Sequence, residues 1–182
     1  MTRDVDKFWK EYEEIVDRHN NDPDDPSNTR EVLEAMTRLV QAVEQESAVL
    51  ADNRIHLELW AATFHRLCAE LNLDLGQEAD AIAAFRKSLE HETFEDLEVR
   101  VGLIQTLCRQ GAFTDACSEI NLLHSTGESF ASSGDAESAV KVLNVLCSNP
   151  ELVPNVDATV LRDILQAVAA RGSEPITLTP FK

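Results

Sequence analysis

Glycine and proline are scarce, six of each in 182 residues. An all-β domain of this length needs many tight turns, and such turns draw on these two residues, so that class is disfavoured. Cations are scarce too, 16 Lys and Arg against 33 Asp and Glu, for a formal net charge of −17. A field of that sign repels nucleic-acid phosphates and anionic lipid, which excludes both as expected partners. Close cysteine pairs are missing. Cys68, Cys108, Cys117 and Cys147 lie nine or more residues apart, without the spacing of a zinc or redox motif. Each falls in an apolar helical pattern and reads as a reduced core thiol, which fits a cytoplasmic protein. No apolar run approaches the roughly 18 residues of a membrane span. No apolar core follows Met1-Thr2-Arg3-Asp4-Val5-Asp6 either, so a secretory leader is not expected.

Motifs that carry chemistry are equally thin. Phosphate-binding glycine loops, a Gly-x-Ser-x-Gly elbow and His-Glu-x-x-His do not occur. His56 and His65 are nine apart, so on one helix they face opposite sides. His65 and Cys68 could supply half a zinc site but have no second pair, and read as packing residues. Asp22-x-Asp24 opens like a calcium loop, but Ser27 replaces the Gly at the sixth position and Leu33 the Glu at the twelfth. No cofactor, metal or catalytic residue is therefore expected.

What is present is helical periodicity. Val5, Phe8, Trp9, Tyr12, Ile15 and Val16 form one stripe, placing Trp9 and later Trp60 in the core. Residues 20–28, with two prolines and several acids, read as a loop. Val32, Leu33, Met36, Leu39, Val40, Val43 and Leu50 mark a second helix. Ile55, Leu59, Trp60, Phe64, Leu67 and Cys68 mark a third. Asp157 reads as the N-cap of a last helix, whose stripe is Val160, Leu161, Ile164, Leu165 and Val168. Eight helices result, at roughly 3–19, 28–51, 54–74, 77–91, 95–110, 113–132, 135–148 and 157–171. The acidity is uneven: residues 1–99 hold 24 acids and 10 bases, the remainder 9 and 6. A basic partner would be steered to the first half, although scattered acids on helices also serve plain solubility.

A short pattern recurs. Gly76-x4-Ala81-x3-Phe85, Gly111-x4-Ala116-x3-Ile120 and Gly134-x4-Ala139-x3-Leu143 share Gly, Ala and a large apolar residue at fixed offsets. Gly permits a left-handed turn between helices, Ala a close helix approach, and the large residue fills the interface one turn later. The first two copies are 35 residues apart. The third follows the second by only 23, which a sixth helix running on to Ser132 would explain.

Across residues 54–148 this pattern resembles the tetratricopeptide repeat, a helix–turn–helix unit of about 34 residues. Cys68, Ala69 and Asn72 depart from its first-helix signature, whereas Leu103, Ile104 and Leu107 fill the equivalent core positions of the next copy. The resemblance implies an all-α fold of antiparallel helical hairpins, stacked as a short right-handed α-solenoid. Residues 1–172 would be one domain, most repeat-like over 28–148. Residues 173–182 read, apart from the resemblance, as an extended tail, with two alternatives: Ile176, Leu178 and Phe181 dock on the array, or the segment is a disordered end. The implied function is non-enzymatic: a concave groove that binds a peptide or helix of a partner protein, basic in character. Carried onto matching positions, the groove residues are Thr63, Arg66, Glu70, Glu98, Val101, Gln105 and Arg109. The competing readings are an acidic secretion-type chaperone holding a client, and a helical-bundle enzyme.

Overall fold

The computed structural model describes residues 6–49, 54–91, 97–123, 130 and 136–170. The protein is all-α, with no strand among the described residues. It divides into two compact units, Met1–Phe94 and Glu95–Lys182.

The first unit contains α1 (Asp6–Asn21), α2 (Pro26–Ser47), α3 (Arg54–Asp74) and α4 (Glu78–Glu90), each packed on the next. Pro26 is the first residue of α2 and not part of the preceding loop, because a proline lacks only an N–H that this position leaves unpaired anyway. Asp25 caps the helix by accepting from the Ser27 N–H at 2.9 Å. Asn28 Nδ2 donates to the Asp22 carbonyl at 2.8 Å and the Arg18 carbonyl at 3.3 Å, tying the end of α1 to the start of α2. The core joins Phe8 and Ile15 to Val32, Met36, Leu39, Val40 and Val43 of α2. From α3 it takes Leu57, Ala61, Phe64, Cys68 and Leu71, spaced four, three, four and three apart. Ile55 and Leu59, expected inward, are 67% and 41% exposed. Phe64 and Cys68 are inward as expected, but earlier in α3, which is apolar on several sides, the buried positions are Leu57 and Ala61, two residues on from Ile55 and Leu59.

Gly76 ends α3 at φ 70°. The Gln77 N–H reaches the Asn72 carbonyl at 2.8 Å and the Gly76 N–H reaches Leu73 at 2.9 Å, a Schellman turn. The chain then reverses: Ser88, late in α4, donates to the carbonyl of Ala62, early in α3, at 2.8 Å. Ala81 and Phe85 are both buried.

The second unit contains α5 (Leu97–Arg109), α6 (Phe113–Leu122), α7 (Ala136–Ser148), a 3-10 helix (Pro150–Asn155) and α8 (Ala158–Ala170). Its first turn repeats the arrangement at Gly76. Gly111 has φ 73°, with Ala112 N–H to Leu107 at 2.9 Å and Gly111 N–H to Cys108 at 3.0 Å. Ala116, Ile120 and, in α7, Ala139 are fully buried. Arg100 Nη1 and Glu119 Oε2 pair at 2.6 Å across α5 and α6, and both side chains are largely covered.

Two expectations change here. The sixth helix stops at Leu122 and does not run to 132. The Leu123 N–H bonds back only three residues, to Ile120, tightening the final turn. Asn121 there serves another element, donating to the Asn155 carbonyl and accepting from the Asp157 N–H. Leu165, expected inward, is exposed, while Val160, Ile164, Ala167 and Val168 are buried. Gly134, residues 124–129 and 131–132, and the tail at 173–182 lie outside the described residues.

Candidate functional site

Two places in the first unit carry more than packing. One is an aromatic face shared by α1 and α3. Tyr12 and Phe64 have ring centroids 4.8 Å apart. Trp9 lies 4.9 Å from Tyr12, 5.9 Å from Trp60 and 6.4 Å from Phe64. Phe64 is fully buried and anchors the group, whereas Trp9 is 37% exposed and Trp60 half-buried. The expectation that both tryptophans are core residues therefore fails for Trp9. The stripe of α1 buries only Phe8 and Ile15, and Trp9, one position from Phe8, sits on its margin. The Trp9 Nε1–H is held by Glu13 at 3.0 Å. A groove of about 420 Å³ opens beside the rings, lined by Asp6, Trp9, Lys10, Glu13 and Trp60.

The residues carried over from the repeat resemblance divide between the units. Thr63, Arg66 and Glu70 follow Trp60 along α3. Thr63 Oγ1 donates to the Leu59 carbonyl at 3.1 Å, and Arg66 Nε pairs with Glu70 Oε1 at 3.0 Å. Burial first, and then the Glu70 charge, push the Tyr12 hydroxyl above its ordinary value of 10.0, with Arg66 opposing them. The other four are on α5. Glu98 is exposed, 3.9 Å from Lys141 Nζ. Gln105 is half-buried, and Arg109 is exposed, with Nη2 donating to Thr106 Oγ1 at 3.3 Å. Val101 is 1% exposed, a core residue of the second unit and not a groove residue.

The second place is a cluster that spacing along the chain does not reveal. Glu44 of α2, His65 of α3 and His91, the residue capping α4, come together from three helices. Glu44 Oε1 lies 2.9 Å from His65 Nε2 and 3.0 Å from His91 Nε2. The two imidazoles stack with centroids 5.6 Å apart and planes 10° from parallel. Their side chains are 14% and 24% exposed, that of Glu44 35%. Burial holds the His65 imidazole below its ordinary 6.5, and the hydrogen bond with Glu44 offsets only part of this. Burial also acts to raise the Glu44 carboxyl, but hydrogen bonds from His65 and His91 together outweigh it, so the group sits below 4.5. The direction at His65 agrees with a neutral ring that donates Nε2–H to the Glu44 carboxylate. A cavity of about 520 Å³ is lined by Glu44, His91 and the ion pairs Arg54–Glu58 and Lys87–Glu90.

No protein-family model, curated protein or solved structure matches the chain. Function is therefore read from side chains alone. Among the described residues no helix is long and apolar enough to cross a membrane.

Proposed function

We propose that the protein is a non-enzymatic, tetratricopeptide-like binding module whose α1–α3 aromatic face holds a cationic segment of a partner protein. The observation that carries this reading is Trp9, partly exposed among four rings in a groove whose charged lining is two carboxylates, Asp6 and Glu13, and one cation, Lys10. Exposed tryptophan beside other rings is the residue type that dominates binding energy at interfaces. The face of an indole attracts Lys and Arg, and nearby carboxylates add attraction of the same sign. The long-range field supports the same choice, because most of the excess acid is in residues 1–99. Thr63, Arg66 and Glu70 extend the face along α3 and would set the register of the bound segment. The groove between α1 and α2 has four cations, Lys7, Lys10, Arg18 and Arg38, beside two carboxylates, Glu11 and Glu14, and suits a basic segment less well. Free thiols at Cys68, Cys108, Cys117 and Cys147 support a reducing compartment such as the cytoplasm.

The test is selection of binders from a random peptide library, followed by titration of the selected peptides against the wild type and Trp9→Ala. The reading expects peptides enriched in Lys and Arg, an affinity that falls with added salt, and at least ~10-fold weaker binding to the variant. Peptides without charge preference that bind both proteins equally would refute it.

A further inference from the structure

We propose that Glu44, His65 and His91 form a binding site for one divalent transition-metal ion, with zinc as the reference ion. Two imidazole nitrogens and one carboxylate oxygen are the donor set that zinc and its late first-row neighbours accept, and that calcium and magnesium, which want oxygen, do not. The three donor atoms lie within 4.8 Å of one another. Around a tetrahedral ion with bonds near 2.0–2.1 Å, neighbouring donors stand about 3.3 Å apart. The observed 2.9 and 3.0 Å separations need to widen by only a few tenths of an ångström, which a small turn of the partly exposed Glu44 side chain supplies.

The donors are also held in place. His65 is fixed in the middle of α3 between the buried Phe64 and Cys68, and His91 by the N–H that it donates to the Ser88 carbonyl at 3.2 Å. Both Nε2 atoms already lie within 3.0 Å of the same carboxylate oxygen, and the near-parallel rings need to tilt toward each other for their in-plane lone pairs to meet on one ion. To ligate through Nε2, each ring presents that nitrogen unprotonated and carries its N–H on Nδ1. The neighbouring charges do not oppose the cation, because Lys87 and Arg54 are each paired with a glutamate. Three side chains leave a four-coordinate ion one position for water or for an atom of another molecule. Glu44 and His91 both line the 520 Å³ cavity, which has room for either.

The experiment is calorimetric titration of zinc chloride into the tag-free, full-length chain, with excess magnesium to occupy exposed carboxylates. A parallel titration with cobalt(II) is followed by visible absorption. The expected result is one zinc per chain, displacing cobalt and indifferent to calcium. His65→Gln, His91→Gln and Glu44→Gln should each weaken binding by ~10-fold or more, since even outer-shell partners of a metal site contribute that much. His56→Gln, at an exposed position on the same helix as His65, should bind as the wild type does. Circular dichroism checks each fold, and His91→Gln, beyond the last turn of α4, decides if either of the other two variants misfolds. Zinc uptake that is not saturable, or one equivalent of unchanged affinity in His91→Gln, would overturn the site.

Discussion

Cys147 parts company with the other three cysteines. Cys68, Cys108 and Cys117 are buried, and burial pushes their thiols up, to about 12 for Cys68 and about 11 for Cys108. A thiol with a pKa near 12 is about one part in 10⁴ ionised at pH 8, and the thiolate is the reactive form. Cys147 is exposed, one position past Val145 and Leu146 of the buried stripe in α7. A thiol reagent should label one cysteine quickly in the native protein and the rest only on unfolding, and Cys147→Ser should abolish the fast phase. Two or more fast thiols would contradict the burial. The alanines of the Gly-x4-Ala pattern were legible from sequence because their chemistry is local: Ala81, Ala116 and Ala139 all pack without exposure. Ala81→Leu and Ala116→Leu should each cost about 1–3 kcal/mol by overpacking, measured as the shift of the denaturant midpoint. Trp9 and Cys147 were misread because each sits at the margin of a stripe, where 100° of helix rotation separates core from solvent.

At the scale of elements, Gly76 and Gly111 close two helices with the same pair of backbone hydrogen bonds. A Cβ built on either glycine would meet nothing within 4 Å, so the requirement is conformational and not steric crowding. Gly76→Ala should therefore lose about 1–2 kcal/mol, the cost of the left-handed region for an L-residue. An unchanged unfolding midpoint would mean that the turn is not formed. The starts of α2 and α8 were less evenly legible. Asp157 caps α8 as its sequence suggests, accepting from the Thr159 N–H at 2.7 Å. Pro26 reads as loop in the sequence because proline opposes helix everywhere except the first turn, which is where the structure places it. The end of α6 was missed because its apolar phase continues past the point where Asn121 turns to other partners. The Glu44–His65–His91 cluster ties three helices together and makes the metal-free fold acid-sensitive. Folding favours the neutral His65 ring, so its contribution is complete above pH 6.5 and declines as pH falls through the lower folded-state value. Glu44 adds a second decline below 4.5, because its carboxylate is the form that folding favours. Chelator-treated protein should lose stability in two stages on acidification, and His65→Gln should remove the upper one. An identical pH profile in the variant would show that the cluster contributes nothing to it.

At the scale of the whole molecule, sequence alone reaches the all-α class and the approximate course of the helices among the described residues, because amphipathic spacing is a property of each segment taken singly. It reaches the sites poorly, because each is assembled from side chains on different helices, and helix pairing is not written in any one segment. Glu44, His65 and His91 are 21 and 26 residues apart and share no motif, so only the pairing of α2, α3 and α4 brings them together. The aromatic face likewise needs α1 and α3 side by side before Trp9 and Trp60 can be seen as neighbours. These are the only two tryptophans in the chain, which makes their indole N–H groups a built-in reporter of that face. The measurement that tests the binding proposal most directly is a ¹H–¹⁵N NMR titration of the full-length protein with a selected cationic peptide. Both indole resonances should move, together with backbone amides of α1 and α3 around Tyr12, Thr63, Arg66 and Glu70. Indoles that stay still while the shifts gather on α5 to α8 would place the binding surface elsewhere and contradict the account.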